Sequence, residues 1–392
     1  MSSRSYNMER VSPFFAPNRI LLGKGVAGQV GQEVRMLGGK KVLIVTDPGV
    51  VKVGLTAAIE EGLKAEGIPW GIYADVVPEP PARIIDEAAK IAREGNYDTV
   101  IGIGGGSSLD VAKGVAMMAT HTGKALDYVG QNMFKERGLT KILIPTTAGT
   151  GSEATGVCVV TDEEENTKKS YYSHLLLPES ALLDPLLTVS MPPSVTADTG
   201  MDALSHAVES FVSVNRTPHS EILSLEAIRL IAESMAVACL KGSELWARYN
   251  MLLASNLAGM AFTSGGLGAS HGLAYPLGTE YHIPHGKSNA IMLPHVMRFN
   301  RVACPEQFAK IAVAMGQPIE GLPLYDAAEM ACEAVEQLIE TIGLSSRLPD
   351  YGVPDTDIPR LVECALKQSR FFVPNPRNLG EKEIRSIYEM AF

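Results

Sequence analysis

The sequence predicts an α/β domain followed by an all-α domain, and two observations carry this prediction. In the first half, short apolar segments alternate with amphipathic helical patterns, which is typical of a parallel sheet with helices on both faces. After Pro192 and Pro193 the strand patterns stop and long helical patterns follow. We therefore expect an α/β domain over residues 1–190 and a helical domain over residues 191–392.

The strands and helices of the first domain are predicted from short β-branched runs that end at turns. Strands are predicted at residues 41–47, 70–77, 99–103 and 141–147, with helices at 55–66, 81–94 and 107–120. An apolar run, a charged turn and two tyrosines over residues 157–173 predict a β-hairpin. Ligands of parallel sheets bind beyond the carboxyl ends of the strands, where Asp47, Gly104 and Thr146 lie.

Composition excludes several classes of protein. The chain has 392 residues, with 46% hydrophobic and 20% charged residues, as in an ordinary globular protein. Its formal net charge is −10 without a compensating basic stretch, which argues against nucleic acid and anionic membranes as partners. The five cysteines are scattered, which favours reduced thiols. Residues 1–17 are polar and no long apolar run is present, so we expect no signal peptide, no membrane span and a cytoplasmic location.

A glycine cluster follows the third predicted strand and opens a helix. Gly102 and the run Gly104–Gly106 leave the backbone bare, so that a pyrophosphate can approach the free N–H groups of the helix start. Ser107 is suited to cap that helix. The spacing is neither the usual G-x-G-x-x-G fingerprint nor a P-loop, and the alternative is a tight turn that needs glycines for packing.

Two other segments lie at the same predicted edge of the sheet. The hydroxyl-rich loop 146–152 is suited to hydrogen-bond ribose or phosphate, although a capped turn has the same composition. Asp47 ends a predicted strand, where a carboxylate accepts hydrogen bonds from the adenine-ribose hydroxyls and repels a 2′-phosphate. This predicts NAD rather than NADP, and an exposed turn aspartate is the alternative.

The second half carries residues suited to hold one metal ion. Asp202 and His206 are four residues apart, which places both side chains on one face of a helix. His271 follows a run of small residues, and His285 lies between a proline and a glycine that fix the backbone. Any one of these histidines alone is better explained by a structural role than by metal binding. As a set, three imidazoles and one carboxylate suit Fe²⁺ or Zn²⁺, with Mn²⁺, Co²⁺ or Ni²⁺ as alternatives, in the role of a Lewis acid.

Together these motifs resemble the iron-containing (group III) alcohol dehydrogenase family. The resemblance spans about residues 12–390 and is carried by GGGS (104–107), PTTAGTGSE (145–153), GMDALSHA (200–207) and the stretch from His271 to PHG (284–286). It implies a dehydroquinate synthase-like fold, with a dinucleotide-binding domain and a helical metal-binding domain. It also implies a homodimer or a higher homo-oligomer.

The resemblance also implies which residues bind the metal and the cofactor. Fe²⁺ is expected at Asp202, His206, His271 and His285. Contacts to the nicotinamide dinucleotide are expected from Asp47, Gly104, Gly105, Ser107, Thr146, Thr147, Thr150, Val159 and Lys168.

One position departs from the pattern of the family. Many members have a histidine four residues after the third metal ligand, where this chain has Tyr275. A tyrosine can relay a proton, but its ordinary pKa of about 10 makes it a poorer base at neutral pH. Tyr275 and His282 are therefore the two expected catalytic residues.

The sequence thus predicts an NAD-dependent, Fe²⁺-assisted oxidoreductase that interconverts a primary alcohol or diol and its aldehyde, with Zn²⁺ as the alternative ion. Within the same fold, the alternatives are a hydroxyacid dehydrogenase, a hydroxyacid–oxoacid transhydrogenase and a cyclising lyase of the dehydroquinate synthase type. Residues 260–290 offer an anionic substrate only Lys287, which disfavours these. A non-catalytic dinucleotide sensor is the alternative of another class, and the set of four ligands argues against it.

Overall fold

The computed structural model describes residues 11–165 and 167–392. By its internal contacts this part of the chain forms two compact units, residues 15–191 and residues 192–392 together with 11–14. Among the described residues, no helix has both the length and the apolar character needed to cross a bilayer. The N-terminal segment for which the sequence predicts no signal peptide lies mostly outside the described residues.

The first unit contains two sheets flanked by helices. Its strands are β1 (Arg19–Leu22), β2 (Val42–Val45), β3 (Trp70–Tyr73), β4 (Thr99–Gly104), β5 (Gly130–Gln131), β6 (Thr140–Pro145), β7 (Val157–Asp162), β8 (Thr167–Tyr172) and β9 (Ser180–Leu183). Its helices are α1 (Val30–Met36), α2 (Pro48–Val53), α3 (Ala57–Ala65), α4 (Ala82–Glu94) and α5 (Gly106–Met118).

The main sheet is parallel and has the order β1-β9-β6-β4-β2-β3, which confirms the predicted fold class of this unit. β3 lies on one side of β2, whereas β4, β6, β9 and β1 lie on the other. The direction of winding therefore reverses between β2 and β4, which is where ligands of such sheets bind. The hairpin predicted at 157–173 is confirmed as the antiparallel pair β7 and β8.

Alternate residues of each central strand pack on opposite faces of the sheet, as the two-residue period of a strand requires. Val42 and Ile44 belong to a buried cluster with residues of α1 and α3. Leu43 and Val45 belong to a second buried cluster with residues of α4 and α5. Because both faces are covered, these strands are apolar without alternation.

Several predicted element bounds in this unit are wrong. The prediction of strand 70–77 is too long, since β3 ends at Tyr73, and β1 and β9 have no sequence prediction at all. The helix predicted at 55–66 is preceded by α2, which Asp47 caps and Pro48 begins. Gly54, with φ of 80°, ends α2 in the left-handed conformation that favours glycine, and α3 begins only at Ala57.

The second unit is helical, as predicted. Its helices are α6 (Pro193–Val212), α7 (Pro218–Leu240), α8 (Leu245–Gly265), α9 (Ala269–Tyr281), α10 (His285–Asn300), α11 (Pro305–Ala314), α12 (Leu324–Thr341), α13 (Ile358–Leu366) and α14 (Glu381–Met390). The helix predicted at 218–240 is confirmed as α7. Thr217 caps its start by accepting a hydrogen bond from Ser220 N, and Pro218 occupies its first turn.

Candidate functional site

Helix α6 supplies the first two expected metal ligands. Asp202 and His206 lie one turn apart and are 4% and 5% exposed. His206 Nε2 is 3.7 Å from Asp202 Oδ1. Both residues are therefore inside the helical unit, where a charged carboxylate requires a counter-charge.

Helices α9 and α10 supply the other two imidazoles. His271 is in the first turn of α9 and is buried, and His285 is the first residue of α10. Gly286 lets the start of α10 lie against α6, because a Cβ atom there would stand 2.0 Å from the carbonyl oxygen of Asp198. The close approach of these two helices brings His285 to Asp202.

Among the described residues, ligand atoms of Asp202, His271 and His285 lie within 4.8 Å of one another, and His206 adjoins this group through Asp202. Asp202 Oδ1 is 3.7 Å from Nε2 of His206, 3.7 Å from Nε2 of His271 and 3.5 Å from Nε2 of His285. Four ligands bound at about 2.0–2.2 Å in a tetrahedron stand about 3.3–3.6 Å from one another. The spacing and the N/O chemistry of these donors therefore suit Fe²⁺ or Zn²⁺.

The electrostatics of the cluster also favour a cation. Burial raises the pKa of the Asp202 carboxyl, but the imidazoles of His206, His285 and His271 together hold it far below its usual range. Burial lowers the pKa of His271, but the carboxylates of Glu209 and Asp202 raise it to about 9. Two buried carboxylates thus converge on one imidazole, so that a positive charge is stabilised there.

Two buried residues at this centre have no counterpart in the sequence prediction. Glu209 Oε2 is 2.5 Å from His271 Nδ1, and Glu209 lies seven residues after Asp202 on α6. Asn289 Nδ2 is 2.8 Å from Asp202 Oδ1 and 3.2 Å from His271 Nε2, and it lies one turn after His285 on α10. The i+7 and i+4 spacings from expected ligands are the sequence signals that could have found them.

The two expected catalytic residues lie in different surroundings. The ring of Tyr275, one turn after His271 on α9, has its centroid 5.7 Å from that of His285 and 5.3 Å from that of Phe371. His282 is the exposed residue that ends α9, with φ of 56°, and its amide donates to the carbonyl of Gly278. The structure therefore places Tyr275 beside the expected ligand His285 and gives His282 a capping conformation.

Aromatic side chains flank the cluster. The ring of Phe262 is 4.6 Å from that of His206, and the ring of Phe371 is 6.2 Å from that of His271. The guanidinium of Arg370 lies 4.8 Å from the ring of Phe371. Phe371 and Arg370 come from a segment about a hundred residues beyond the histidines, which no local motif in the sequence connects to the site.

In the α/β unit, the glycine turn joins β4 to α5 at the reversal of winding. Gly104 has φ of 145°, and a Cβ atom on it would stand 2.6 Å from the Ser108 side chain. A Cβ on Gly106 would stand 2.7 Å from Thr150 Cγ2, whereas one on Gly105 would meet nothing closer than Thr147 at 3.5 Å. A side chain at Gly104 or Gly106 would clash with neighbouring residues, so packing requires glycine at both positions. At Gly105 the protein itself leaves room for a Cβ atom.

The other expected cofactor residues of the strand ends adjoin this turn. Asp47 Oδ1 caps α2 by accepting from Val50 N at 3.0 Å, and Asp47 Oδ2 accepts from Ser108 Oγ at 3.0 Å. Thr146 N donates to Gly104 O at 2.9 Å. Ser107 is in the first turn of α5, where amides lack helical acceptors and favour an anion. Asp47, the glycine turn and the threonine loop are thus one continuous edge.

Val159 and Lys168 lie on the hairpin rather than at the strand ends. The amide of Val159 donates to Asp110 Oδ2 at 2.9 Å, which ties β7 to α5. Lys168 on β8 has its Nζ 2.6 Å from Glu79 Oε1. The first residue is thus connected to the helix of the glycine turn, and the second forms an ion pair.

The chain matches the family model for iron-containing alcohol dehydrogenase over residues 17–185 and the model for the C-terminal part of the Fe-containing alcohol dehydrogenase family over residues 196–392. It is 44% identical over 375 residues to long-chain-alcohol dehydrogenase 1 of Geobacillus thermodenitrificans (strain NG80-2), covering 95% of this chain and 94% of that one.

Two solved structures show the same architecture. A crystal structure of 1,3-propanediol oxidoreductase superposes with a TM-score of 0.95 at 40% identity, covering 98% of this chain and 100% of that one. Sulfoacetaldehyde reductase from Bifidobacterium kashiwanohense, in complex with NAD⁺, superposes with a TM-score of 0.89 at 29% identity, covering 97% and 99%.

The parallel α/β unit and the helical unit are the architecture of the solved oxidoreductases to which this chain is similar. Among oxidoreductases, the chain belongs to the iron-containing alcohol dehydrogenase family. It is an enzyme that interconverts small-molecule alcohols and aldehydes with a nicotinamide dinucleotide.

Proposed function

We propose that this enzyme uses NAD to interconvert a primary alcohol or diol and its aldehyde at Fe²⁺ held by Asp202, His206, His271 and His285. The observation that carries the proposal is the position of Asp202 Oδ1, 3.5–3.7 Å from the Nε2 atoms of all three imidazoles. When bound, the ion supplies a Lewis acid that acidifies the substrate hydroxyl, and the dinucleotide supplies the hydride acceptor.

The residues of the chain hold the reactants and handle the proton. The backbone at Gly105 and the first turn of α5 receive the pyrophosphate, and Asp47 accepts hydrogen bonds from the adenine ribose. Tyr275, whose ring adjoins His285, relays the hydroxyl proton by passing on its own phenolic proton as it accepts that of the substrate. His282, which is exposed at the end of α9, passes that proton to solvent. Thr147, Thr150, Val159 and Lys168 complete the proposed cofactor contacts.

The aromatic surroundings favour an aliphatic substrate. Phe262 and Phe371 border the proposed ligands His206 and His271, and apolar walls of this kind select by size and chain length rather than by charge. The names of the two alcohol-oxidising relatives, which act on long-chain alcohols and 1,3-propanediol, support the same class.

One observation favours an anionic substrate as the second candidate. The guanidinium of Arg370 lies 6.0 Å from the ring of Tyr275, so a cation adjoins the proposed proton relay. Lys287 is a poorer candidate for this role, because its Nζ is 3.7 Å from Asp198 Oδ2. A hydroxyacid or a sulfonated aldehyde would use Arg370.

A substrate panel tests the function. Chelator-stripped enzyme reloaded anaerobically with Fe²⁺ should form NADH from 1-butanol and 1,3-propanediol, and the stripped enzyme should not. Higher kcat/KM for 4-hydroxybutyrate than for 1-butanol would select the anionic candidate. Turnover that persists after the metal is stripped would contradict the metal-assisted mechanism, and NAD binding without turnover on any alcohol would favour the sensor or the lyase.

Asp47 should set the preference for NAD. We expect wild-type kcat/KM to be higher with NAD than with NADP, because a carboxylate beside the ribose repels a 2′-phosphate. The variant Asp47→Ser should lower the NAD-to-NADP ratio roughly tenfold to hundredfold, since it removes a like charge. Serine still caps α2, so the thermal midpoint serves as the control for folding. An unchanged ratio would assign Asp47 to capping alone.

We also propose that the enzyme is cytoplasmic and forms a homodimer or a higher homo-oligomer, as the family resemblance implies. Sedimentation equilibrium of the purified chain measures the oligomeric state directly.

A further inference from the structure

Glu209 is a buried carboxylate that lies behind the proposed ligand His271. It is 4% exposed and lies on α6, three residues after His206. Its Oε2 is 2.5 Å from His271 Nδ1, and its Oε1 accepts from the amides of Ser270 at 2.6 Å and His271 at 3.2 Å. These contacts are made with the first turn of α9, and the backbone of Gly268 just before that helix also stabilises the charge of Glu209.

The charge of Glu209 has one partner. Among the described residues, the only basic group within 4.0 Å of its carboxylate is the imidazole of His271. A buried carboxylate is costly unless a positive charge and hydrogen bonds compensate for it. The backbone amides supply hydrogen bonds but no full charge. The positive charge that balances Glu209 must therefore lie on the His271 ring or on a cation bound to that ring.

The same contact determines which nitrogen of His271 faces the metal cluster. A carboxylate only accepts hydrogen bonds, so Nδ1 carries the proton and donates to Glu209. Nε2 is then the ring nitrogen that offers a lone pair when a metal ion takes the place of its proton, and Nε2 is the atom that lies 3.7 Å from Asp202 Oδ1. A carboxylate bonded to the far nitrogen of a ligating histidine both fixes the ring and increases its basicity.

We propose that Glu209 is a positioning residue of the metal centre, which selects the His271 tautomer and strengthens that imidazole as a ligand. The inference rests on the proposed metal centre and adds a residue to it. Because the His271 ring stacks on that of His206, with centroids 4.9 Å apart and planes 13° apart, its orientation also constrains a second ligand.

The substitution Glu209→Gln removes this function with a minimal change of shape. A glutamine has one accepting oxygen where Glu209 uses two. If its NH₂ faces His271, Nδ1 must accept, and the proton moves to the nitrogen needed by the metal. If its NH₂ instead faces the amides of Ser270 and His271, two sets of N–H groups oppose each other. Either arrangement weakens the ligand.

Cobalt affinity measured by chelator competition tests the proposal. Wild-type enzyme, Glu209→Gln and the control Ser210→Ala are stripped of metal and titrated with Co²⁺, which also reports its ligand environment by visible absorption. We expect Glu209→Gln to bind Co²⁺ roughly 10–100-fold more weakly, as is typical when such an outer partner is lost. Ser210 is the buried neighbour of Glu209 on α6, and its hydroxyl has no hydrogen-bond partner among the described residues. Ser210→Ala should therefore match wild type.

The outcomes separate this inference from the proposal on which it rests. If wild-type enzyme fails to bind Co²⁺, the proposed metal centre is wrong. If wild type binds and folded Glu209→Gln binds equally well, the centre stands and the role of Glu209 is refuted. If Glu209→Gln does not fold by circular dichroism, Glu209→Asp decides. That variant keeps the charge but withdraws it by one methylene, so Co²⁺ affinity should fall by a smaller factor, and an unchanged affinity overturns the proposal.

Discussion

The variant Asp202→Ala should lose bound metal and dehydrogenase activity together. Asp202 supplies the only carboxylate of the proposed ligand set, and its Oδ1 is the common neighbour of all three Nε2 atoms. Its removal leaves three imidazoles without an anionic ligand. We expect the metal affinity to fall by more than the roughly 10–100-fold that follows loss of an outer partner. Metal content by atomic absorption and NADH formation measure the two losses.

A second aspartate on the same helix provides the matched control. Asp198 lies one turn before Asp202 on α6, and its Oδ2 is 3.7 Å from Lys287 Nζ rather than from a proposed ligand. Asp198→Ala should therefore retain metal stoichiometry. If Asp202→Ala retains iron and full turnover, the assignment of this residue is wrong. If both variants lose metal, the effect comes from disruption of α6.

Most of the fold was accessible from the sequence because its signals are local. Three of the predicted strands, β2, β4 and β6, are buried on both faces, so they read as short apolar runs ended by turns. Thr217 with Pro218 marks the start of α7. β1 and β9 gave no such signal. Each has four residues, and β1 is half exposed, so its apolar content resembles that of a loop. Their identity as strands depends on pairing with distant segments, β1 with β9 and β9 also with β6.

The expected metal ligands were recognisable, but the groups around them were not. Asp202 and His206 share a helix face, and this spacing is visible in the sequence. Glu209 and Asn289 are ordinary helical polar residues until packing shows that they touch ligands. Phe371 is joined to the cluster only by tertiary structure. Ligands that share one helix can be recognised from the sequence. The residues that contact those ligands cannot, because such contacts depend on how separate helices pack.

The variant Gly105→Ala should weaken NAD binding without destabilising the protein. A Cβ atom at this position would stand 3.5 Å from Thr147 Cγ2, which is ordinary contact, and the φ of −77° is accessible to alanine. The protein alone therefore has room for the methyl group. A pyrophosphate resting on the bare backbone of the turn does not, and the resulting steric cost of about 1–3 kcal/mol corresponds to roughly a 5–150-fold loss of affinity.

Comparison with the neighbouring glycines shows why a substitution at Gly105 can weaken NAD binding without disturbing the packing of the turn. At Gly104 and Gly106 an added methyl would stand 2.6–2.7 Å from protein atoms, so their substitution would impair folding and binding alike. Gly28 in the same unit has open space at its Cβ position, which makes Gly28→Ala the matched control. Isothermal titration of NAD and the thermal midpoint should show weaker binding for Gly105→Ala alone. Equal NAD affinity in both variants would mean that the turn serves packing and that the pyrophosphate lies elsewhere.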